Sequence, residues 1–406
     1  MRLTGTTITV WVAACLHAGV SGAQSRPLTL ADVLTRAREQ APQIVSARLT
    51  LEETRGRLIG AGQRFQSNPA LDLGIGNRSG SGSRFTDFEI GLAQDLDPRA
   101  RQTARISGAE AAIAEGAASV EEITRTVLRS AAAAYHRSLH ASQRVQLLRG
   151  MVDLAAITHS VAEQRFKAGD VPVLEVSIAR VALARVRSEQ EAAEAARTLA
   201  LGDLKQILRL EEDITTEGML TRPSEVDLDS LLVAALQRPE LRALEASVQE
   251  AEADFRLAST YTKPTYGFGV RYAREEGDQI VLGGMTVTLP TFAQGQEQRA
   301  VSTARAARLR AELDAARTRV RIEVQSSFEA YTRRLAAVRV LEIEAIPDID
   351  ASDALVTRSY EVGQLSLPEM LLIRREFVDT RTDHLDALLD AVLARVDLDA
   401  SAAILR

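Results

Sequence analysis

The sequence predicts a mainly α-helical protein with four short β-strands, built as a tandem duplication. Three observations lead to this α+β fold class. The 406-residue chain is rich in Ala, Leu, Arg and Glu and has only 4% aromatic residues, which is typical of long helices. Two separate pairs of stretches repeat at an offset a little under 200 residues. Each half also contains two short segments with alternating apolar side chains.

The duplication is visible in two places. "LTLADVLTRAREQAPQIVSARLTLEE" (residues 28–53) parallels "VDLDSLLVAALQRPELRALEASVQEAEA" (226–253), with a proline near the bend of each. "AEQRFKAGDVPVLEV" (162–176) parallels "VTRSYEVGQLSLPEM" (356–370). Because repeats fix architecture, we expect two tandem structural repeats. The boundaries are predicted at residues 24–222 and 223–406.

The short alternating segments predict one β-hairpin in each repeat. The first is expected at about residues 70–96 and the second at about 266–290, each interrupted by a turn-rich stretch and bracketed by prolines. Apolar residues such as Leu73 and Ile90 alternate with small or polar ones, which fits lipid on one face and water on the other. An ordinary half-buried sheet fits the alternation equally well.

The remaining sequence predicts very long helices. No proline interrupts the chain from about Ala100 to Arg165, a run that spans on the order of 100 Å as a helix. Helices of this length must pack side by side as coiled-coil-like hairpins, with tips at residues 166–175 and 360–369. We expect an aromatic residue packed at the end of each outgoing helix, a left-handed glycine, and a glutamate in the first turn of each returning helix. These residues are Phe166, Gly169 and Glu175 in the first tip, and Tyr360, Gly363 and Glu369 in the second.

The N-terminus predicts export. An apolar segment followed by "VSGAQS" is typical of a signal peptide spanning residues 1–23, so that the mature chain starts at Gln24. Cys15, the only cysteine, loosely fits a lipid-attachment sequence, which is an alternative reading of this segment. After it, no stretch approaches the roughly 18 to 20 apolar residues of a membrane-spanning helix.

Composition and motifs disfavour two functional classes. A net charge of −6 provides no basic stripe for nucleic acid. No nucleophile elbow, phosphate-binding glycine loop or HExxH run is present, so we expect no enzyme, no catalytic residues and no cofactor. His136 and His140 are spaced like a metal-ligand pair, but no third ligand lies nearby in sequence, so a solvated helix face is the favoured reading.

The motifs together resemble one family over essentially the whole mature chain. The two tip motifs have an aromatic residue, a glycine and a glutamate at identical spacing, and "TVTLPTFAQGQ" leaves the last strand. With the "LTLADVL" opening and its "DLDSLL" echo, they resemble the outer-membrane efflux proteins, the TolC-like family. "SNPAL" (67–71) and "QDLDPRARQTAR" (94–105) are most similar to its heavy-metal and cation efflux branch.

The resemblance implies an architecture and a set of partners. Four strands cannot close a barrel, and open edges in lipid leave backbone groups unpaired. The family solves this as a homotrimer that shares a twelve-stranded transmembrane β-barrel, continued by a helical tube in the periplasm. We therefore expect an outer-membrane protein in contact with outer-membrane lipid. It would be a passive conduit for small solutes such as metal cations or drugs, working with a periplasmic adaptor protein and an RND-type inner-membrane pump.

The resemblance also implies functional residues at the tips. Glu369 matches an acidic position that narrows the periplasmic entrance, Glu175 holds the repeat-equivalent place, and the next acidic position of the family is Leu372 here. Both glutamates are candidates for gating or selectivity, with helix capping as the alternative. The implied adaptor contacts are Ala168, Gly169, Val171, Val362, Gly363 and Leu365. A type I secretion conduit and a soluble periplasmic scaffold of long helices remain alternative functions.

Overall fold

The computed structural model describes residues 27–80, 83–276 and 278–405. The predicted signal peptide (residues 1–23), the start at Gln24 and the Cys15 lipidation site lie outside these ranges. Within them, all connections between sheet and helices lie at one end of a four-stranded sheet, and the two strand turns lie at the other end. We call these the helix end and the loop end of the sheet.

The described residues of the first half form three strands and four helices. In chain order they are β1 (Pro27–Leu28), α1 (Leu30–Gln40), α2 (Pro42–Gly62), β2 (Ala70–Gly80), β3 (Ser83–Leu96), α3 (Arg99–Ala168) and α4 (Val173–Leu208). A capping box between Thr29 and Asp32 begins α1, and Pro42 begins α2, where a missing N–H costs nothing. At 70 residues, α3 is roughly 105 Å long.

The second half repeats this order of helix pair, strand pair and helical hairpin. Its elements are β4 (Thr215–Thr216), α5 (Leu228–Ala235), α6 (Pro239–Ser259), a 3₁₀ turn (Thr260–Thr262), β5 (Thr265–Glu275), β6 (Asp278–Thr288), α7 (Gln296–Val340), a π-helical turn (Leu341–Ala345), α8 (Ile346–Glu361) and α9 (Leu367–Ser401).

One departure from the first half is the π-helical turn in the outgoing helix. α7 ends at Val340, and the π turn joins it to α8. Pro347 lies in the first turn of α8 and lacks the N–H that would continue the α-helical pattern. The outgoing helix of the second hairpin is therefore jointed, whereas α3 is unbroken.

The four long strands form one antiparallel sheet in the order β2-β3-β5-β6. The two predicted hairpins are present, and the pairing of β3 with β5, from Phe88↔Arg274 to Leu96↔Tyr266, joins them. Among the described residues, β2 and β6 have no second strand neighbour. Their outer backbone groups are therefore free to pair with further strands.

The strand register places the apolar side chains on one face. Leu73 lies opposite Ile90, Ile90 opposite Tyr272, and Tyr272 opposite Val281, and directly paired residues share a face. This face is uncovered, with Ile75 79% exposed and Val281 71% exposed. The half-buried sheet considered from the sequence is therefore wrong, because none of the described helices covers the apolar face.

The helices pack along seams rather than around a globular core. In the first half, Val33, Ile44, Leu128 and Leu204 form the centre of one cluster, contributed by four different helices. Alanines recur at seven-residue spacing on the buried side of α3, which allows close helix approach. No described helix has both the length and the apolarity needed to cross a membrane.

The segment between α4 and α5, which joins the two halves, forms hydrogen bonds with both of them. β4 pairs in parallel with β1. The hydroxyl of Tyr135 in α3 donates to the Glu217 carbonyl at 2.5 Å, and the hydroxyl of Tyr331 in α7 donates to the Ser224 carbonyl at 2.5 Å. The two tyrosines lie in related stretches, "AYHRSL" and "AYTRRL". Equivalent tyrosines thus hold one connecting segment.

We predict that Gly295→Ala destabilises the protein more than Gly363→Ala does. Both glycines have positive φ, 74° and 77°, so alanine at either position is strained by about 1 to 2 kcal/mol. At Gly295 the new Cβ would also lie 2.7 Å from the Ala258 carbonyl oxygen, whereas at Gly363 it meets open space. Thermal unfolding of the purified variants in detergent measures the difference, and equal losses of stability would contradict the prediction.

Candidate functional site: hairpin tips and sheet face

The first hairpin tip follows the predicted geometry. Gly169 is left-handed, with φ 81°, and its N–H donates to the Phe166 carbonyl at 3.0 Å. Pro172 caps α4, and Glu175 lies in the first turn of that helix, half-buried. A carboxylate there interacts favourably with the helix dipole.

The second tip uses its glutamate as a capping residue. Gly363 is left-handed, and the backbone N–H and hydroxyl of Ser366 donate to Glu369 Oε2 at 2.8 and 2.6 Å. The Glu369 N–H donates back to the Ser366 hydroxyl, which completes a capping box. These hydrogen bonds hold the pKa of the Glu369 carboxyl below its usual range. The carboxylate is therefore ionised at neutral pH, exposed, and fixed in position by the helix start.

The predicted adaptor contacts divide into two groups. Ala168, Gly169, Val362 and Gly363 are exposed at the ends of the hairpins, with Val362 62% exposed. Two others turn inward: Val171 is 8% exposed, and Leu365 packs against the apolar cluster between the tips. The exposed surface at the tips is thus smaller than the sequence predicts.

The two hairpins pack against each other just above their tips. The cluster between them consists of Ala162, Ala179, Val356, Tyr360, Leu367 and Met370. Tyr360 is buried, as predicted, and the Arg165 guanidinium lies 5.5 Å from the centre of its ring. The prediction that Phe166 packs in the same way is wrong, because it is 44% exposed. Successive helical residues point about 100° apart, and Arg165 takes the position that faces Tyr360.

A buried arginine lies between the two hairpins, next to this apolar cluster, and it was not predicted from the sequence. We call this contact between the hairpins the joint. Arg374 is 9% exposed and donates to the hydroxyls of Thr158 at 3.2 Å and Thr357 at 2.8 Å. Its Nε has no hydrogen-bond partner, and burial lowers the pKa of the guanidinium, opposed by the charge of Asp353. The available sequence signal was its helical spacing from Leu367 and Met370, which places a cation on the buried face of α9.

His136 and His140, two of the three histidines of α3, have different surroundings. His140 Nε2 lies 2.6 Å from Asp386 Oδ1, which Arg144 also contacts at 3.3 Å. His136 packs edge-on against Tyr135, and burial lowers the pKa of its imidazole to about 4. In the described part of the chain, no group of three or more His, Cys, Asp or Glu side chains is arranged to hold a metal ion.

The face of the sheet opposite the apolar face, which we call the inner face, carries ion pairs that link the two strand hairpins. Arg271 of β5 lies 3.3 Å from Glu89 of β3. Near the loop end, Arg78 of β2 contacts Asp87 at 3.0 Å and both Glu275 and Glu276 at 3.1 Å. One face of the sheet is therefore apolar and the other polar, as for strands between lipid and water.

A similar fold, with a sheet at one end of long helical hairpins, is found in solved structures of outer-membrane proteins. The chain is similar in fold to a membrane protein from Pseudomonas aeruginosa, with a TM-score of 0.77 at 16% identity, covering 92% of each chain. It is also similar to the CmeC outer membrane channel of Campylobacter jejuni, with a TM-score of 0.76 at 13% identity, covering 92% of this chain and 85% of that one.

Sequence comparisons agree with this architecture. Residues 33–208 match the model of the outer membrane efflux protein family, so this part of the chain is similar to that family. The chain is also 22% identical over 387 residues to the cobalt-zinc-cadmium resistance protein CzcC of Cupriavidus metallidurans, covering 92% of this chain and 89% of CzcC. The resemblance drawn from the sequence motifs is thus confirmed.

We predict that His136 makes stability depend on pH. Its folded pKa of about 4 lies below the ordinary value of 6.5, so the unfolded state binds the proton more readily. The stabilisation is complete above pH 6.5 and is lost as pH falls towards 4, by at most about 3 kcal/mol. Comparing unfolding temperatures at pH 7 and 4.5, His136→Leu should lose less stability on acidification than wild type. An equal loss in both proteins would contradict the assignment.

Proposed function

We propose that this chain is the outer-membrane channel of a tripartite export system, with three copies sharing one twelve-stranded barrel. The observation that carries the proposal is the uncovered apolar face of a sheet whose edge strands have no second neighbour among the described residues. Such a face belongs in lipid, where every unpaired backbone group costs several kcal/mol. Pairing β6 of one copy with β2 of the next satisfies both requirements.

Strand length and face pattern support a membrane barrel. The four strands have 11, 14, 11 and 11 residues, and a tilted strand needs about 9 to 11 to cross a bilayer. Tyr266 and Tyr272 lie near opposite ends of the apolar band, where aromatic girdles occur. A soluble periplasmic scaffold is disfavoured because it would leave this band in water.

The long hairpins then form a tube that leads away from the membrane into the periplasm. In this arrangement the exposed tip residues Ala168, Gly169, Val362 and Gly363 contact a periplasmic adaptor, with Val171 and Leu365 supporting the tip from inside. The adaptor connects the channel to an inner-membrane pump of the RND type. The duplication into residues 24–222 and 223–406 supplies the two hairpins of each subunit.

The substrate class is proposed from the relative. CzcC is named as a cobalt-zinc-cadmium resistance protein and matches nearly the whole chain, which favours export of metal cations over drugs. The channel works as a passive conduit, in which the pump supplies the energy. A conduit for secreted polypeptides is the second candidate, since the tips carry no feature that separates the two.

Glu369 and Glu175 are proposed as charged positions at the entrance. Both lie in the first turn of a returning helix next to a tip. The capping box keeps the Glu369 carboxylate ionised and exposed, so three copies would place three negative charges at the tips.

We predict that the purified protein forms discrete ion-conducting pores in planar lipid bilayers and that Leu73→Arg abolishes them. Leu73 lies on the apolar face, where a central arginine costs about 2 to 4 kcal/mol per chain. The matched control is Asp72→Arg, one residue away on the inner face, which should still form pores. A wild-type protein recovered as a soluble periplasmic monomer would contradict the channel.

We also predict that Glu369→Gln lowers the preference of the open pore for cations over anions. Glutamine at this position can still complete the capping box, so the substitution removes charge while keeping the helix start. Ser366→Ala is the control, because it breaks the box, at about 1 kcal/mol, but leaves the charge. Reversal potentials in a salt gradient give the selectivity. If Ser366→Ala changes it as much as Glu369→Gln does, Glu369 is a capping residue alone.

A further inference from the structure

The two faces of the sheet also differ in the sign of their charges. Every carboxylate in the described strands lies on the inner face: Asp72, Asp87, Glu89, Asp95, Glu275 and Asp278. The charged residues of the apolar face, over the same strands, are Arg84 and Arg274. The outer face thus carries cations without carboxylates.

These two arginines differ from those of the inner face in their partners. Arg78 and Arg271 are held by carboxylates on neighbouring strands. Arg84 and Arg274 are exposed, and neither has an ion pair with any described residue. A guanidinium at the border of a lipid layer is strongly stabilised by an anion, and the described strands offer none on that face.

Both arginines lie at the loop end of the apolar band. Arg274 is two residues beyond Tyr272 on the same face and lies opposite Phe88. Arg84 lies about 13 Å further along β3 than Phe88, at 3.3 Å per residue. The polar residues around them on this face are Asn77, Ser79, Thr86 and Gln279. If lipid covers the apolar band, its headgroups would lie at this level of the sheet.

We propose that Arg84 and Arg274 bind phosphate-bearing headgroups of lipids in the leaflet at the loop end. The inference rests on the proposed function, since it requires the apolar band to lie in a membrane. The guanidinium fork matches phosphate oxygens in two parallel hydrogen bonds. A second copy of the chain is not the occupant, because its strands carry their carboxylates on the inner face.

The test measures stabilisation of the detergent-purified protein by a phosphorylated lipid. Lipid A with two phosphates should raise the unfolding temperature of wild type more than its dephosphorylated form does. In the Arg84→Gln/Arg274→Gln double variant, we expect the difference in unfolding temperature between the two lipids to fall to less than half of the wild-type difference. For wild type, the same difference should shrink as the salt concentration is raised. The Arg84→Lys/Arg274→Lys variant keeps both charges and should retain most of it. Arg271→Gln, which removes an inner-face arginine of the same strand as Arg274, should leave the difference unchanged.

Two results would overturn the inference. One is an equal stabilisation of wild type and the double glutamine variant, and the other is an equal loss in Arg271→Gln. If the double variant fails to assemble, the single variants Arg84→Gln and Arg274→Gln are compared with Arg271→Gln by the same criterion. Absence of pores from the wild-type protein would instead contradict the proposed function. Normal pores with unchanged lipid stabilisation would contradict the lipid site alone.

Discussion

The free edges of the sheet are the constraint on which the rest of the structure depends. In the part of the chain that the structure describes, the outer backbone groups of β2 and β6 lack strand partners, and the apolar face between these strands is uncovered. In water, the backbone groups of the edge strands can form hydrogen bonds with solvent, but the apolar face is exposed. In lipid, the apolar face is buried, but the edge backbone groups have no hydrogen-bond partners. The two demands are met together when further copies continue the sheet until it closes. The monomer surface is therefore best understood as that of a subunit.

Closure also requires the helices to leave the sheet in a fixed direction. The chain passes from β3 to α3 through Asp97, which accepts hydrogen bonds from Arg101 at 3.2 Å and Arg105 at 2.5 Å. The Arg101 guanidinium lies 4.8 Å from the ring centre of Tyr261, and a Cβ added to Gly295, the cap of α7, would lie 3.1 Å from the same side chain. The starts of both outgoing helices thus lie next to Tyr261.

Features with a local cause were predictable from the sequence. The strand hairpins, the helix lengths and the left-handed tip glycines follow from alternation, absence of proline and turn chemistry. The pairing of β3 with β5 joins residues about 180 apart, so no local pattern reveals it. At the tips, local chemistry gave the positions of Glu369 and Glu175, but burial of Val171 and exposure of Phe166 depend on how the second hairpin packs on the first. The Arg374 joint was missed for the same reason.

The two halves share an order of elements but differ in the continuity of their outgoing helices. In the first, α3 runs unbroken to its tip. In the second, the π turn and Pro347 interrupt the outgoing helix, and the returning helix contributes Arg374 to an otherwise apolar joint. Hydrogen bonds to two threonine hydroxyls replace only part of the hydration that a guanidinium loses on burial. The joint is therefore stabilised less than its apolar contacts alone would provide, and separating the hairpins returns Arg374 to water. In this contact between the two hairpins, the burial of apolar side chains is opposed by the desolvation of Arg374.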